Sequence, residues 1–350
     1  MIRFTNFKTS LVATLALLVL ATSTRTAAAQ GLDRIRDRNG ITTGKIVKTT
    51  ALGITFSKNG VETKKPVEEI VSITFAGEPA ELAPARRAVH AGRFENALKK
   101  LGEIDRADVR RKEIVQEIDF LTTLCNVQRA LSGQGTLDQA RQEVTSFLSK
   151  NSKSYHIPEA IELLGDVLLA NQDYAGAQAQ YKKLGKAPAP FFKARSAILI
   201  GRSLQAEKKH QEAVAAFDRG LQAAKGNATA QTQVLEATLH RAVSQSALGD
   251  VGPSTDKVKQ IIAQADTKNT KLLAQAYNAL GDCYLQANEQ KAARQAFLHV
   301  DLLFSSAANE HAKALYELSQ LWNDLGKSAR ARDAQDRLKE KYPGSRWAKR

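Results

Sequence analysis

The sequence has few of the residues that interrupt helices or cross-link a chain. Its 350 residues include 8 prolines, 21 glycines and 2 cysteines. Helix interiors exclude proline and glycine and favour the alanine, leucine, glutamine and lysine that recur here, so we expect a mainly helical chain. The same composition disfavours collagen-like, mucin-like and all-β proteins. Two cysteines are too few for a disulfide-stapled scaffold, and we expect Cys125 and Cys283 to be small buried side chains.

Acidic residues are in deficit. The chain has 51 lysines and arginines against 36 aspartates and glutamates, a formal net charge of +15. Such a balance favours acidic partners, among them nucleic acid, anionic lipid and acidic protein surfaces, without choosing between them.

Long hydrophobic runs are also absent. The longest runs from Leu11 to Thr22 and is shorter than the ~20 residues that cross a bilayer. Basic residues precede it, and Ala27-Ala28-Ala29 follows it, which is the pattern of a secretory signal peptide. We predict that residues 1–29 are a signal peptide cleaved after Ala29, with an uncleaved anchor as the alternative. Removing Arg3, Lys8 and Arg25, with no acidic residue lost, lowers the formal charge from +15 to +12.

Motifs that carry catalysis are missing as well. There is no His-Glu-x-x-His, no Cys-x-x-Cys and no Gly-x-Ser-x-Gly. Gly133-Gln-Gly135 lacks the third glycine and the preceding strand of a nucleotide-binding loop, so it is interpreted as a turn between helices. We therefore expect no enzymatic activity, no metal and no cofactor. The histidines are scattered along the chain, at positions 90, 156, 210, 240, 299 and 311.

Residues 30–78 alternate apolar and polar side chains and predict four or five short strands. Asn59-Gly60 lies between two such strands, and this pair favours a type I′ hairpin turn because both residues tolerate positive φ. Phe56 and Phe75 fall at positions expected to face a core. So few residues bury a core only by curling into a small barrel.

The order of these elements resembles the Sm-like and SH3-like small barrels. Many Sm-like domains bind RNA, so the resemblance implies a possible polyanion site. An exported protein rarely meets RNA, and no exposed aromatic is expected for base stacking, so a solvated sheet face is the competing interpretation. The basic residues of this alternative are Lys45, Lys48, Lys58, Lys64 and Lys65, together with Arg346, Lys349 and Arg350 at the other end of the chain.

Residues 79–350 repeat a pattern about every 36 to 41 residues. Each copy places a small residue in one helical stretch and an alanine or serine in the next. This pattern resembles the tetratricopeptide repeat (TPR) family and implies an α-solenoid of about seven antiparallel helix pairs, preceded by the small barrel. Small residues let paired helices approach closely. They are Gly165, Gly201, Ala242, Gly281 and Ser319 in the first helices, and Ala177, Ala213, Ser254, Ala293 and Ala331 in the second helices.

The TPR resemblance implies that the first helices line a concave face that binds extended peptides or partner helices. The polar residues placed there are mixed in sign, which suits peptide recognition in a fixed register better than a nucleic-acid track. Plain solvated helix surface is the alternative. The candidate partner-binding residues are Glu159, Glu162, Asp166, Arg195, Arg202, Gln275, Asn278, Asp282, Lys313, Tyr316, Gln320 and Asn323. The sequence thus predicts a non-enzymatic scaffold for protein or peptide partners in the bacterial periplasm or cell envelope.

Overall fold

The computed structural model describes residues 31–350; the predicted signal peptide lies outside this range. The fold is mainly α, a TPR-type solenoid that follows a small antiparallel sheet. The strands are β1 (Asp33–Asp37), β2 (Gly40–Thr50), β3 (Gly53–Lys58), β4 (Val61–Pro66) and β5 (Ile70–Thr74).

The five strands form one antiparallel sheet in the order β4-β3-β2-β1-β5. The predicted hairpin joins β3 to β4, and Asn59 and Gly60 have φ values of 52° and 81°. Phe56 and Phe75 are buried, as the alternation predicts. The described residues form no hydrogen-bonded ladder between β4 and β5, so closure of the sheet into a barrel stays a prediction.

Within residues 31–350 the helices form seven consecutive pairs. Glycine or asparagine with positive φ ends or follows many of the first helices, which is how a chain turns sharply between two helices. The helices are α1 (Leu82–His90), α2 (Phe94–Gly102), α3 (Lys112–Ser132), α4 (Leu137–Lys150), α5 (Ile157–Ala170), α6 (Tyr174–Leu184), α7 (Pro190–Ala206), α8 (His210–Ala224), α9 (Gln231–Ala247), α10 (Val251–Gln264), α11 (Thr270–Gln286), α12 (Gln290–Leu303), α13 (Ala308–Asp324) and α14 (Ser328–Lys341).

One expectation about α10 is wrong. The sequence pattern suggests that Gly252-Pro253 interrupts the start of this helix, but α10 begins at Val251 and includes both residues in its first turn. The first N–H groups of a helix have no intrahelical partner, so a proline there removes no hydrogen bond. Gly133 and Gly135, by contrast, lie in the turn between α3 and α4, where their φ values are 92° and 157°.

Three of the five small positions of the first helices, all of them glycines, lie directly against aromatic rings of the second helices. A Cβ atom on Gly165 would lie 2.2 Å from the Tyr181 ring, and one on Gly201 or Gly281 would lie 2.5 Å from Phe217 or Phe297. A larger side chain would therefore separate the paired helices.

The second-helix alanines differ among themselves. Ala177, Ala213 and Ala293 are completely buried. Ala331 is only partly buried, because no further helix follows α14 in the described residues.

The sheet and the first helices share one hydrophobic core. Ile35 and Ile73 of the sheet belong to the same buried cluster as Leu82 and Ile114. Asp33 strengthens this junction: it is 1% exposed and accepts hydrogen bonds from the backbone N–H of Ile46 and from Arg111, at 2.7 and 2.6 Å. The sheet therefore covers the open apolar side of the first helix pair, which in a solenoid would otherwise face water.

Both cysteines are buried, as predicted, and the structure shows that both are free. Burial raises the pKa of each thiol to about 11, which keeps both in the unreactive protonated form at neutral pH. Of the helices described, none has the length and apolar character needed to cross a membrane.

Candidate functional site

We call the surface formed by α5, α7, α9, α11 and α13 the first-helix face. Two groups of polar side chains lie on it, one on α5, α7 and α9 and the other on α11 and α13. The predicted residues are distributed between them, and several make ion pairs with one another.

Arg195 of α7 is the centre of the first group. Its Nε donates a hydrogen bond to Glu162 Oε2 of α5 at 3.0 Å, and its Nη1 donates to Glu236 Oε2 of α9 at 2.6 Å. Arg202, further along the same side of α7, has Nη1 3.4 Å from the other oxygen of Glu236. One guanidinium thus joins three neighbouring first helices, and its planar set of donors matches two carboxylates at once.

The charges of this group strongly perturb one another. Burial alone raises the pKa of Glu236, but the guanidinium groups of Arg195 and Arg202 outweigh it and lower the pKa to about 2. Asp166 behaves in the opposite way, because burial and the nearby Glu162 raise its pKa. It accepts a hydrogen bond of 2.7 Å from the Tyr181 hydroxyl. Glu236 therefore remains a carboxylate that holds both arginines in place.

His240 lies beside this group but carries no charge. Burial, followed by the positive charge of Arg202, lowers the pKa of His240 to about 3. Its ring is therefore neutral at physiological pH, with Nδ1 3.0 Å from Gln205 Oε1.

The second group lies on α11 and α13. Asn278 Nδ2 donates hydrogen bonds to the backbone oxygen and to Oε2 of Glu310, at 2.9 and 2.7 Å. Lys313 forms an ion pair with Asp282. Burial, offset in part by Lys313, raises the pKa of Glu317 on the same helix to about 7. This group is therefore held together by pairs between adjacent first helices, as the first group is.

Five predicted residues join neither group, and one of them, Tyr316, contacts Trp347 instead. Glu159 is exposed, and its carboxylate lies 3.6 Å from His156 Nδ1. Gln320 and Asn323 are exposed on α13, and Gln275 is half-buried on α11. Gln275 and Asn323 make no side-chain hydrogen bond to any part of the chain that the structure describes.

Two important residues of the site were missed from the sequence. Glu236 precedes Ala242 by the same six positions that separate Arg195 from Gly201 and Gln275 from Gly281. That spacing was therefore a usable signal. Trp347, which contacts Tyr316 with 5.4 Å between ring centroids, lies beyond the last repeat, where the repeat pattern gives no information.

A third polar cluster, also missed, lies near the sheet. Glu117 of α3 is 3% exposed, and its carboxylate accepts hydrogen bonds from Arg86 Nε and the Tyr155 hydroxyl at 2.6 and 2.5 Å. His156 Nε2 lies 2.8 Å from the same carboxylate. Burial raises the pKa of Glu117, but the nearby positive charges of His156 and Arg86 outweigh it and lower the pKa to about 2. This cluster joins α1, α3 and the start of α5, so its role is structural.

The basic residues of the polyanion alternative are not brought together. Lys65 is paired with Asp37, whereas Lys48 and Lys64 are exposed on either side of Thr55 in one row of the sheet. Arg346 and Arg350 lie instead over the ring of Trp347.

No protein-family model matches the chain, and neither does any curated protein. Solved structures do match. A Rap protein, crystallised in complex with Competence and Sporulation Factor, is similar over 76% of this chain and 76% of its own, with 13% identity and a TM-score of 0.54. A tetratricopeptide repeat protein from Parabacteroides merdae is 16% identical over 75% of this chain and 91% of its own, with a TM-score of 0.48. At these identities the likeness to the Rap protein shows a shared fold.

Proposed function

We propose that this protein is a non-enzymatic interaction scaffold whose first-helix face binds extended peptide or protein partners. In a TPR-type solenoid this face is the concave one. The observation that supports the proposal best is the bridging of α5, α7 and α9 by Arg195. Charges held on packed helices by such pairs have fixed positions, and fixed positions give a partner a single register.

The Rap protein that shares the fold was crystallised with Competence and Sporulation Factor bound. This supports a binding role for the fold, and the polar face described above supports it for this chain. Gln275, Gln320 and Asn323 are the residues we assign to partner contact. Amide side chains present both donors and acceptors, which suits the N–H and C=O groups of an extended peptide. The paired charges around Arg195 and Lys313 would set the register.

A peptide array tests the proposal. Residues 30–350, carrying an affinity tag, are incubated with immobilised random dodecapeptides at 0.05 and 0.5 M salt. We expect a subset of peptides to bind at both salt concentrations and to lose binding to the double variant Q275A/N323A. The matched control is Q335A, an exposed glutamine on the second helix α14. Equal loss in the control, or no peptide that survives high salt, contradicts the proposal.

Polyanion binding is the second candidate function, supported by the row formed by Lys48, Thr55 and Lys64 on the sheet. Phosphate contacts weaken steeply as salt concentration rises, whereas a peptide site with apolar anchors loses less. Titration of a single-stranded oligonucleotide at several salt concentrations therefore distinguishes the two. A steep salt slope that K48A/K64A reduces favours the polyanion function; no binding at 0.05 M salt excludes it.

We also propose that the chain acts after export, in the bacterial periplasm or cell envelope. The support is the three-part N-terminal pattern that ends at Ala29. N-terminal sequencing of the protein recovered from an envelope fraction tests this. We expect a chain that begins at Gln30. A chain recovered from the cytoplasm with residues 1–29 still attached contradicts export.

A further inference from the structure

The segment after the last helix folds back onto the solenoid. Gly344 N donates a hydrogen bond of 3.0 Å to the backbone oxygen of Ser132, the last residue of α3. Gly133 and Gly344 approach so closely that a Cβ atom on Gly133 would lie 1.9 Å from Gly344 N. Two glycines are therefore needed where the end of the seventh helix pair meets the second pair.

From this contact the chain continues along α13. Ser345 is 8% exposed, and Trp347 packs against the hydrophobic cluster of the last two helix pairs. The ring centroids of Trp347 and Tyr316 are 5.4 Å apart, and Lys313 Nζ lies 5.9 Å from the centroid of the Trp347 ring. Aromatic stacking and the attraction of a cation to the face of a ring both favour this position of Trp347. Trp347 thus holds the tail, Ser345–Arg350, against Lys313 and Tyr316, two of the predicted partner-binding residues.

Charged side chains of both signs lie near the tail. The segment Ser345–Arg350 contains three basic residues and no acidic one. Burial and the positive charges of Arg202 and Arg350 lower the pKa of Arg346, and the carboxylates of Glu310 and Asp282 act against this lowering. Arg350 in turn lies close enough to Glu317 to lower the pKa of that carboxyl, against the larger effect of burial. The basic segment therefore lies near three acidic side chains, Asp282, Glu310 and Glu317, and near one basic side chain of α7, Arg202.

We propose that Asp282, Glu310, Lys313, Tyr316 and Glu317 form a docking site for basic peptide segments with an aromatic anchor, and that Ser345–Arg350 is its resident occupant. This inference rests on the proposed peptide-binding function and names the partner's chemistry. A partner peptide then binds this part of the face only by displacing the tail. A tethered occupant acts at millimolar effective concentration. The apparent Kd of a partner is therefore its intrinsic Kd divided by the fraction of protein whose tail is undocked.

The two tryptophans of the chain make the test direct. Trp322 lies apart from the tail, beneath Arg294 and Arg330, so W322F leaves Trp347 as the sole fluorophore excited at 295 nm. We expect Trp347 in folded W322F to emit at shorter wavelength than in the free peptide Ser-Arg-Trp-Ala-Lys-Arg, and to resist acrylamide quenching. Emission and quenching equal to those of the free peptide overturn the docking.

Competition tests the chemistry of the partner. The peptide Ser-Arg-Phe-Ala-Lys-Arg keeps the aromatic anchor without indole fluorescence, so millimolar amounts should shift Trp347 emission to that of the free peptide. Ser-Arg-Ala-Ala-Lys-Arg is the matched control and should leave the emission unchanged. Equal release by both peptides, or release by neither, overturns the assignment of this surface to aromatic and basic segments.

A pair of glycine variants tests the contact at the base of the tail. Gly133 and Gly135 lie in the same turn with positive φ, but only Gly133 touches Gly344. In the W322F background G133A should expose Trp347 to acrylamide, whereas G135A should not; circular dichroism confirms that both remain helical. Equal exposure in the two variants overturns the role of this contact. If the tail proves undocked while the array peptides still require Gln275 and Asn323, this inference fails and the proposed function stands.

Discussion

Arg195 holds Glu236 at 2.6 Å across the groove between α7 and α9 while its other nitrogens hold Glu162 on α5. The pair is mostly buried, with 19% of the Arg195 side chain and 12% of the Glu236 side chain exposed. Three repeats are therefore fixed to one another by one side chain on the face where we place the partner.

Removing Glu236 should destabilise the protein. In the variant E236A, Arg195 keeps Glu162 but loses its second carboxylate, and water reaches the guanidinium poorly. Breaking a buried ion pair in this way costs about 3 kcal/mol. Urea denaturation at pH 7 measures the loss. K100A is the matched control because Lys100 and Glu103 form an exposed pair, which contributes less than about 1 kcal/mol. Equal losses in the two variants would show that the Arg195 pair is no more important than a surface one.

Stability should fall at acid pH through carboxyl groups whose pKa is lowered in the folded state. Glu117 and Glu236 each have a pKa of about 2, against 4.5 for the free side chain. A carboxyl group whose pKa is lower in the folded state than in the unfolded state stabilises the folded protein when the pH is above the unfolded-state pKa. This contribution is therefore complete above about pH 4.5 and is lost as the pH falls towards 2. The difference between 4.5 and about 2 corresponds to about 3 kcal/mol per group.

Urea denaturation at pH 6.0 and pH 3.0 checks this dependence. E117Q and E236Q remove one titrating group each, so each variant should lose less stability over this range than the unmodified chain does. A variant whose free energy of unfolding falls as steeply as that of the unmodified chain contradicts the assignment of the acid sensitivity to these groups.

A methyl group at Gly201 should separate α7 from α8. Its Cβ would lie 2.5 Å from the Phe217 ring, and overpacking of this kind costs about 1–3 kcal/mol. G252A is the control, because Gly252 is also helical but a Cβ atom there would meet no heavy atom within 4 Å, so it should cost less stability than G201A. The second change F217L should restore part of the stability of G201A. Thermal denaturation that shows no such rescue contradicts the steric account.

Deleting the sheet should lower the melting temperature of the solenoid. Leu82 and Ile114 share a buried cluster with Ile35 and Ile73, so removal of residues 30–78 exposes apolar surface on the first helices. Circular dichroism of residues 79–350 measures the change, with the longer chain 30–350 as reference. An unchanged melting temperature would show that the sheet does not cover the first repeat.

Local patterns predicted much of the fold. Asn59-Gly60 placed a hairpin correctly because the turn's backbone angles depend on those two residues alone, and the alternation around Phe56 placed its side chain in the core. The helical solenoid followed from a repeat of small residues, three of which are glycines that meet an aromatic ring of the next helix. The error at Gly252-Pro253 arose because proline disrupts a helix interior but not its first turn.

The interactions of the site were harder to predict. Residues such as Asp282 and Lys313 could be placed on one face by counting from the small positions. The sequence does not show that they pair, because pairing depends on the offset between successive helix pairs. Glu236 was within reach of the same counting from Ala242. Trp347 was not, since the tail's position depends on how the solenoid brings the turn at Ser132 near its last helix pair.

Hydrogen–deuterium exchange can show whether a peptide binds to the first-helix face. Residues 30–350 are compared with and without a peptide selected on the array. We predict slower exchange in α7, α9, α11 and α13, with unchanged exchange in the second helices α8 and α12 and in the sheet. Slower exchange confined to the second helices or to strands β2–β4 would contradict this prediction and place the partner on another surface.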